Sequence, residues 1–336
     1  MNPRLLPLAC LLMASAAPAQ VPGADCTALA EDTARLACYD RAHGRSATAV
    51  APAPTLSATP AAAPAPSPSH LGPRWDLDGD LGARFAPRPY KPVYLLPATW
   101  TDRINRLPGS PSAEHTVPEG LNLLASEAKY QLSLKAKLSQ DLLGTPASLW
   151  AGYTQSSRWQ VYNGAASRPF RETNYEPELM LVWPLHSELL GWTLRFGSLS
   201  LNHQSNGRSL PLSRSWNRLI GELALERGEW VVEMRPWLRI HERPQDDDNP
   251  DIEDHIGRGE LLLGRYWGEH ALTLQLRHSL RSGERSHGSA QVDWVFPLNG
   301  ALHGYLQVFS GQGESLIDYN FRQTKLGLGI TIAGWR

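Results

Sequence analysis

The 336 residues balance 32 basic against 33 acidic side chains, for a formal charge of −1, which gives no electrostatic signature of nucleic-acid binding. Beyond residue 19 there is no run of about 18 apolar residues, so a membrane-spanning helix is excluded. If this chain crosses a bilayer it must do so as a closed barrel of strands.

Residues 1–19 begin with Arg4, stay apolar from Leu5 to Ala17 and end Ala17-Pro18-Ala19, the layout of a secretory signal peptide. In the exported remainder Cys26 and Cys38 form an even pair, which favours one short-loop disulfide within a small helical segment over 20–45. Leu29, Leu36 and Tyr39 give that segment an apolar side, and a metal site would want more ligands than it offers. Residues 46–87 are rich in Ala and Pro, cannot bury a core and read as a semi-rigid linker. The folded domain is expected over 88–336.

From about residue 128 apolar residues recur at every second position, the period of a strand with two unlike faces. Tyr130, Leu132, Leu134, Ala136 and Leu138 alternate with Lys129, Gln131, Ser133, Lys135 and Lys137. Leu326, Leu328, Ile330 and Ile332 alternate in the same way with Lys325, Gly327, Gly329 and Thr331. Eleven such segments are predicted, near 128–140, 147–162, 175–186, 190–205, 215–227, 229–242, 257–268, 269–281, 286–297, 301–311 and 321–333. Single-chain bacterial barrels close with an even number, which places a twelfth strand within 90–105.

A soluble antiparallel sandwich would show the same alternation with its apolar face turned inward. Strand length opposes it, because segments of about ten residues suit a tilted membrane span and exceed the five or six of soluble strands. Connections after residue 215 also alternate between tight turns such as Arg227-Gly228-Glu229 and long loops such as 243–256. That is the asymmetry of periplasmic turns and outer loops. The expected fold is therefore all-β, a twelve-stranded antiparallel transmembrane β-barrel with an N-terminal periplasmic extension.

On the segment from Ser198 to Ser205 the alternation puts Leu199, Leu201, His203 and Ser205 on the lipid-facing side, and on the next strand it puts Asn217 there with Leu219 and Leu223. Polar groups on that face need partners or a purpose. A histidine and a serine at i and i+2 are neighbours on one face, so the imidazole can take the hydroxyl proton while an amide opposite holds its other nitrogen. Their position at the long-loop end, in the outer leaflet, makes lipid the available substrate.

Asn202-His203-Gln204-Ser205-Asn206-Gly207-Arg208-Ser209, followed by Ser213-Arg214-Ser215-Trp216-Asn217-Arg218, resembles the active-site signature of the outer membrane phospholipase A family of Gram-negative bacteria. Three further blocks are similar to that family: Tyr90-Lys91-Pro92 with Tyr94-Leu95-Leu96-Pro97, the run Phe170 to Pro177, and the run Gly313 to Phe321. The resemblance covers about 88–336. It implies a calcium-dependent phospholipase with Ser205 as nucleophile, His203 as general base, Asn217 orienting the histidine and the Gly207 amide donating to the oxyanion. It also implies a homodimer with calcium held by the Arg208 carbonyl, the Ser213 hydroxyl and Ser167 of the other subunit, and with Gln155 in the dimer interface. Leu210 stands where some relatives carry an aspartate that can help bind calcium. The acidic run Asp246-Asp247-Asp248 lies in a long loop on the same side; Asp248 could supply a carboxylate to the ion, although the expectation is a solvated run. The end Gly334-Trp335-Arg336 departs from the usual bare-aromatic assembly signal. The competing functions are a passive channel or structural barrel, in which His203, Ser205 and Asn217 satisfy one another, and an outer-membrane protease, which would group carboxylates and histidine at the rim.

Overall fold

The computed structural model describes residues 25–44, 69–79, 84–300 and 302–333, so the expected signal segment, much of the expected linker and the last three residues lie outside the description. The chain divides into two compact units, Met1–Ala65 and Pro66–Arg336. Within the first, a disulfide joins Cys26 to Cys38 with their Cα atoms 5.6 Å apart, between a short turn and helix α1 (Asp32–Ala42). Asp32 in its first turn and Arg41 in its last complement the helix dipole.

In the second unit a short helix α2 (Leu71–Trp75) and a two-residue strand β1 (Arg88–Pro89) precede twelve staves. These are β2 (Val93–Thr101), β3 (Ser126–Ser139), β4 (Ser148–Trp159), β5 (Phe170–Leu189), β6 (Trp192–Ser205) and β7 (Ser215–Arg227). They continue with β8 (Trp230–Ile240), β9 (Gly259–Trp267), β10 (His270–His278), β11 (Gly288–Asn299), β12 (Leu302–Gly311) and β13 (Gln323–Ala333). Each stave pairs antiparallel with the next, β13 pairs with β2, and the β2–β3 and β3–β4 pairings close the barrel. The twelfth stave sought within 90–105 is β2. Its alternation is interrupted at Pro97, next to a register shift between Leu96 and Thr99. Strand β5 is 20 residues long and starts five residues before the expected segment. Polar Arg171, Glu172 and Asn174 in its first turn-proximal stretch mask the apolar period, and a register shift between Pro184 and Ser187 marks its other end.

The outer wall is apolar: Leu132, Leu134, Leu199, Leu201, Leu238, Leu326 and Leu328 are all exposed, as lipid-facing side chains of an isolated barrel must be. Inside, the lumen is filled. At the short-turn end α2 enters the barrel, and Leu71, Trp75 and Leu77 pack with Tyr90, Trp150, Met180 and Phe196 in one buried cluster. Glu226 at the end of β7 receives the His70 and Leu71 backbone N–H groups at 2.6 and 2.7 Å, while Asp76 pairs with Arg88 and Lys137. Residues 69–78, expected in the linker, are thus part of the barrel's core. The sequence signal there was too short to separate from the Pro-rich tract, because three apolar side chains in eight residues show no period.

At the long-loop end, Leu316, Ile317 and Tyr319 turn inward from the connection between β12 and β13. Between the two plugs runs a network of buried ions centred on Glu314, whose carboxylate lies 2.9 Å from Lys129 and 3.2 Å from both Arg158 and Lys325. These cations hold the Glu314 carboxyl well below the ordinary carboxylate range, against its burial. A polar cavity of about 150 Å³ remains. A lumen so occupied is a poor conduit, which weighs against the passive-channel reading.

The plug can be tested by truncation. Removing residues 20–65 is expected to leave detergent refolding and heat-modifiable gel migration unchanged. Removing 20–79 is expected to lower the temperature at which the folded band is lost, since burial of each of Leu71, Trp75 and Leu77 is worth roughly 1.5–3 kcal/mol. Equal melting of the two truncations would show that α2 carries no stability.

Candidate active site

Strand period and register build the site. On β6 the small and polar Ser198, Ser200 and Asn202 face the lumen and are buried, which turns Leu199, Leu201, His203 and Ser205 outward. On β7 Arg218, Glu222 and Glu226 take the lumen side, which turns Asn217 outward. Register then makes His203 and Asn217 direct cross-strand partners, and Ser205 faces Ser215 on one side and Tyr175 on the other. His203 Nδ1 lies 2.8 Å from Asn217 Oδ1. Because an amide oxygen only accepts, that contact puts the ring proton on Nδ1 and leaves Nε2 free to act as a base. The Ser205 hydroxyl has no hydrogen-bond partner among the described residues, an arrangement common before substrate tightens a site.

His203 and Asn217 also line an apolar groove of about 510 Å³ on the outer wall, with Leu179, Leu201 and Ile240. A groove opening outward between strands is accessible to lipid acyl chains and screened from the lumen.

Past Ser205 the chain turns at Gly207, whose φ of +60° belongs to the left-handed region and whose absent Cβ would lie 3.2 Å from the Tyr175 ring. Its N–H has no acceptor among the described residues, so it can point a donor at a developing oxyanion beside Ser205. The loop is held by Asn206 and Arg214, two residues that the sequence reading assigned no role. Asn206 Oδ1 accepts from the Arg208 and Arg214 N–H groups at 3.2 and 3.1 Å, and its amide nitrogen donates to Glu172 at 3.2 Å. Glu172 also receives the Ile317 N–H at 2.9 Å. The similar blocks 170–177, 202–218 and 313–321 therefore meet behind the turn at Gly207.

The Leu212 N–H donates to the Ser209 carbonyl at 3.0 Å, which sets Arg208 and Ser213 on the two sides of one turn. Asp248 folds against this turn: its carboxylate accepts from Ser213 Oγ at 2.8 Å and from Ser215 Oγ at 3.3 Å, and lies 2.9 Å from His115 Nε2. The expectation of a solvated acidic run is corrected here. Asp247 is buried against Arg239 at 2.6 Å and Asn249 is fully buried, so the run is anchored and aims Asp248 at the loop. Ser167 sits elsewhere, in the loop between β4 and β5 with φ +60°, and no hydrogen bond among the described residues joins it to Arg208, Ser213 or Asp248. Gln155 faces outward on β4, between Leu132 of β3 and Tyr175 of β5.

Residues 74–332 match the Phospholipase A1 family model. The Phospholipase A1 of Klebsiella pneumoniae is 42% identical over 244 residues, 73% of this chain and 81% of the relative. A putative phospholipase A1 of Neisseria meningitidis is 40% identical over 262 residues, 76% and 68% of the two chains. Among solved structures, outer membrane phospholipase A from Escherichia coli superposes with a TM-score of 0.67 at 39% identity, covering 76% of this chain and 95% of that one. The outer membrane phospholipase of Salmonella typhi, solved as a dimer with bound calcium, gives 0.67 at 41%, covering 75% and 94%.

Proposed function

Since this chain belongs to the Phospholipase A1 family and is an outer-membrane β-barrel that hydrolyses phospholipid acyl esters, we propose that Ser205, His203 and Asn217 perform that hydrolysis on its lipid-facing wall. The observation that carries the assignment is the 2.8 Å contact between His203 Nδ1 and Asn217 Oδ1 on a face otherwise given to leucine. With Nδ1 holding the proton, Nε2 removes the Ser205 hydroxyl proton as Oγ attacks the ester carbonyl. The tetrahedral oxyanion takes the Gly207 N–H. Nε2 then returns the proton to the leaving alkoxide, and water repeats the sequence on the acyl-enzyme.

We further propose a calcium site made by the Arg208 carbonyl, the Ser213 hydroxyl and the Asp248 carboxylate, completed by the partner subunit's Ser167 and water. Support comes from the donor chemistry, all hard oxygen, and from the packing of Asp248 on the Ser213 hydroxyl. Bound there, calcium supplies a Lewis acid for the ester oxygen. One chain brings fewer than the six to eight oxygens the ion takes, which gives a second chain a reason to complete the shell and places Gln155 in a homodimer interface. On the division of the chain, we propose a signal peptide over 1–19 that directs export, the small disulfide-bearing segment, a linker and a catalytic barrel.

A sulfonyl fluoride with a long alkyl chain tests the nucleophile. It is expected to abolish fatty-acid release from phospholipid micelles and to modify the peptide containing Ser205. Modification of a different serine, or full activity after labelling Ser205, would overturn the assignment and reopen the protease and structural-barrel readings.

A further inference from the structure

A triad whose third member is an amide has an ambiguity that a carboxylate lacks. Turned one way, Asn217 presents its oxygen to the imidazole and fixes the proton on Nδ1. Turned the other way, its NH2 would face Nδ1, the ring proton would sit on Nε2, and the base would be lost toward Ser205. Something has to choose between the two.

The neighbour on the far side of the amide is Glu242, in the loop just past the end of β8. Asn217 Nδ2 donates to Glu242 Oε1 at 2.8 Å, while Asn217 Oδ1 meets His203 Nδ1 at the same distance. An ionised carboxylate can only accept, so it draws the NH2 group to itself and leaves the oxygen for histidine. We propose that Glu242 is a positioning residue for the hydrolytic reaction: its carboxylate sets the orientation of Asn217 and thereby the tautomer of His203. The proposal rests on the triad reading given above.

The surroundings suit the role. Burial raises the Glu242 carboxyl above its ordinary range, and Asp247 and Asp248 of the same loop add to the rise against the opposing pull of Arg239 on β8. On the side of β7 it faces the neutral Asn217, with the His203 ring of β6 beyond it. As pH falls, Glu242 takes up a proton that it can donate, and the signal that orients the amide weakens along with the base itself. Its negative charge also lies on the far side of a hydrogen-bonded amide from the imidazolium formed during reaction, which it stabilises.

A charge series reads this directly, using the full-length protein in calcium-containing phospholipid micelles, with heat-modifiable migration as the check on folding. Glu242→Lys offers a donor in place of an acceptor and is expected to lower kcat about tenfold to a hundredfold with KM little changed, because it favours the reversed amide. Glu242→Ala, where water can accept, is expected to lose less than the lysine variant, and Glu242→Gln less again. The acid limb of kcat/KM in Glu242→Gln should move to lower pH by about half a unit to one unit, since the negative charge that favours imidazolium is gone. Combined with Asn217→Ala, Glu242→Lys should cause no further loss. A lysine variant within twofold of wild type, additive losses in the double variant, or an unmoved acid limb in Glu242→Gln would overturn the proposal. Asn217→Ala and His203→Ala assayed alongside separate the two levels: if these lose activity and the Glu242 series does not, the triad stands without its fourth member. If His203→Ala stays active, the triad itself is wrong.

Discussion

Ser205→Ala is expected to refold, insert and show wild-type heat-modifiable migration, yet to release fatty acid at a rate lower by about three orders of magnitude or more. The side chain sits on the outer wall without a hydrogen bond to lose, so its removal leaves no buried group unsatisfied. What goes is the hydroxyl proposed to attack the ester, on the same face of β6 as an imidazole whose Nδ1 proton is held by Asn217. The residual rate measures binding and oxyanion donation alone. His203→Ala should fall about as far, and the double variant no further, because the two side chains act as one unit. A Ser205→Ala rate within tenfold of wild type, assayed in the same micelles, would end the assignment.

Chelation of calcium is expected to abolish hydrolysis and to dissociate the dimer together, with each recovering along the same calcium titration. If, as proposed, an ion is shared between Arg208, Ser213 and Asp248 of one chain and the partner subunit's Ser167, binding and association are linked thermodynamically: whatever strengthens one strengthens the other by the same factor. Under that proposal Leu210 is expected to steepen the dependence, because it offers no carboxylate with which a lone chain could hold the ion. Asp248→Asn should shift both titrations to higher calcium without altering the rate at saturation by more than a few-fold. The measurement is energy transfer between labelled chains, run beside fatty-acid release in the same samples. A fully active monomer, or full activity in chelator, would remove the shared site.

Much of this molecule is legible from periodicity. An alternation of period two over some ten residues, with long and short connections also alternating, located ten of the twelve staves to within a few residues; β2, interrupted at Pro97, followed from the even strand count, and at β5 inward-facing Arg171, Glu172 and Asn174 erase the contrast. His203, Ser205 and Asn217 were legible because they break an apolar face on adjacent strands, where parity fixes direction. What periodicity cannot express is loop folding. Asp248 reaches Ser213 because Asp247 anchors to Arg239, and Glu242 reaches Asn217 from a segment with no repeat at all. The interior helix was hidden for a related reason: α2 is five residues long, and its partners Trp150 and Phe196 are buried apolar residues on strands whose apolar positions otherwise mark the outer wall.

The occupied lumen changes how damage by this enzyme is to be read. A hollow barrel of twelve strands would admit ions whether or not its chemistry ran, and leakiness in cells carrying it would be ambiguous. Here Trp75 and its neighbours close one end, Leu316, Ile317 and Tyr319 close the other, and paired ions stand between them. Among the described residues the barrel is a filled post with only a small polar cavity of about 150 Å³ inside it, not an open tube. A breach of the outer membrane that follows its activation is then expected to come from lysophospholipid and free fatty acid accumulating in the leaflet, which makes permeability a clock for hydrolysis and assigns the wound to the products.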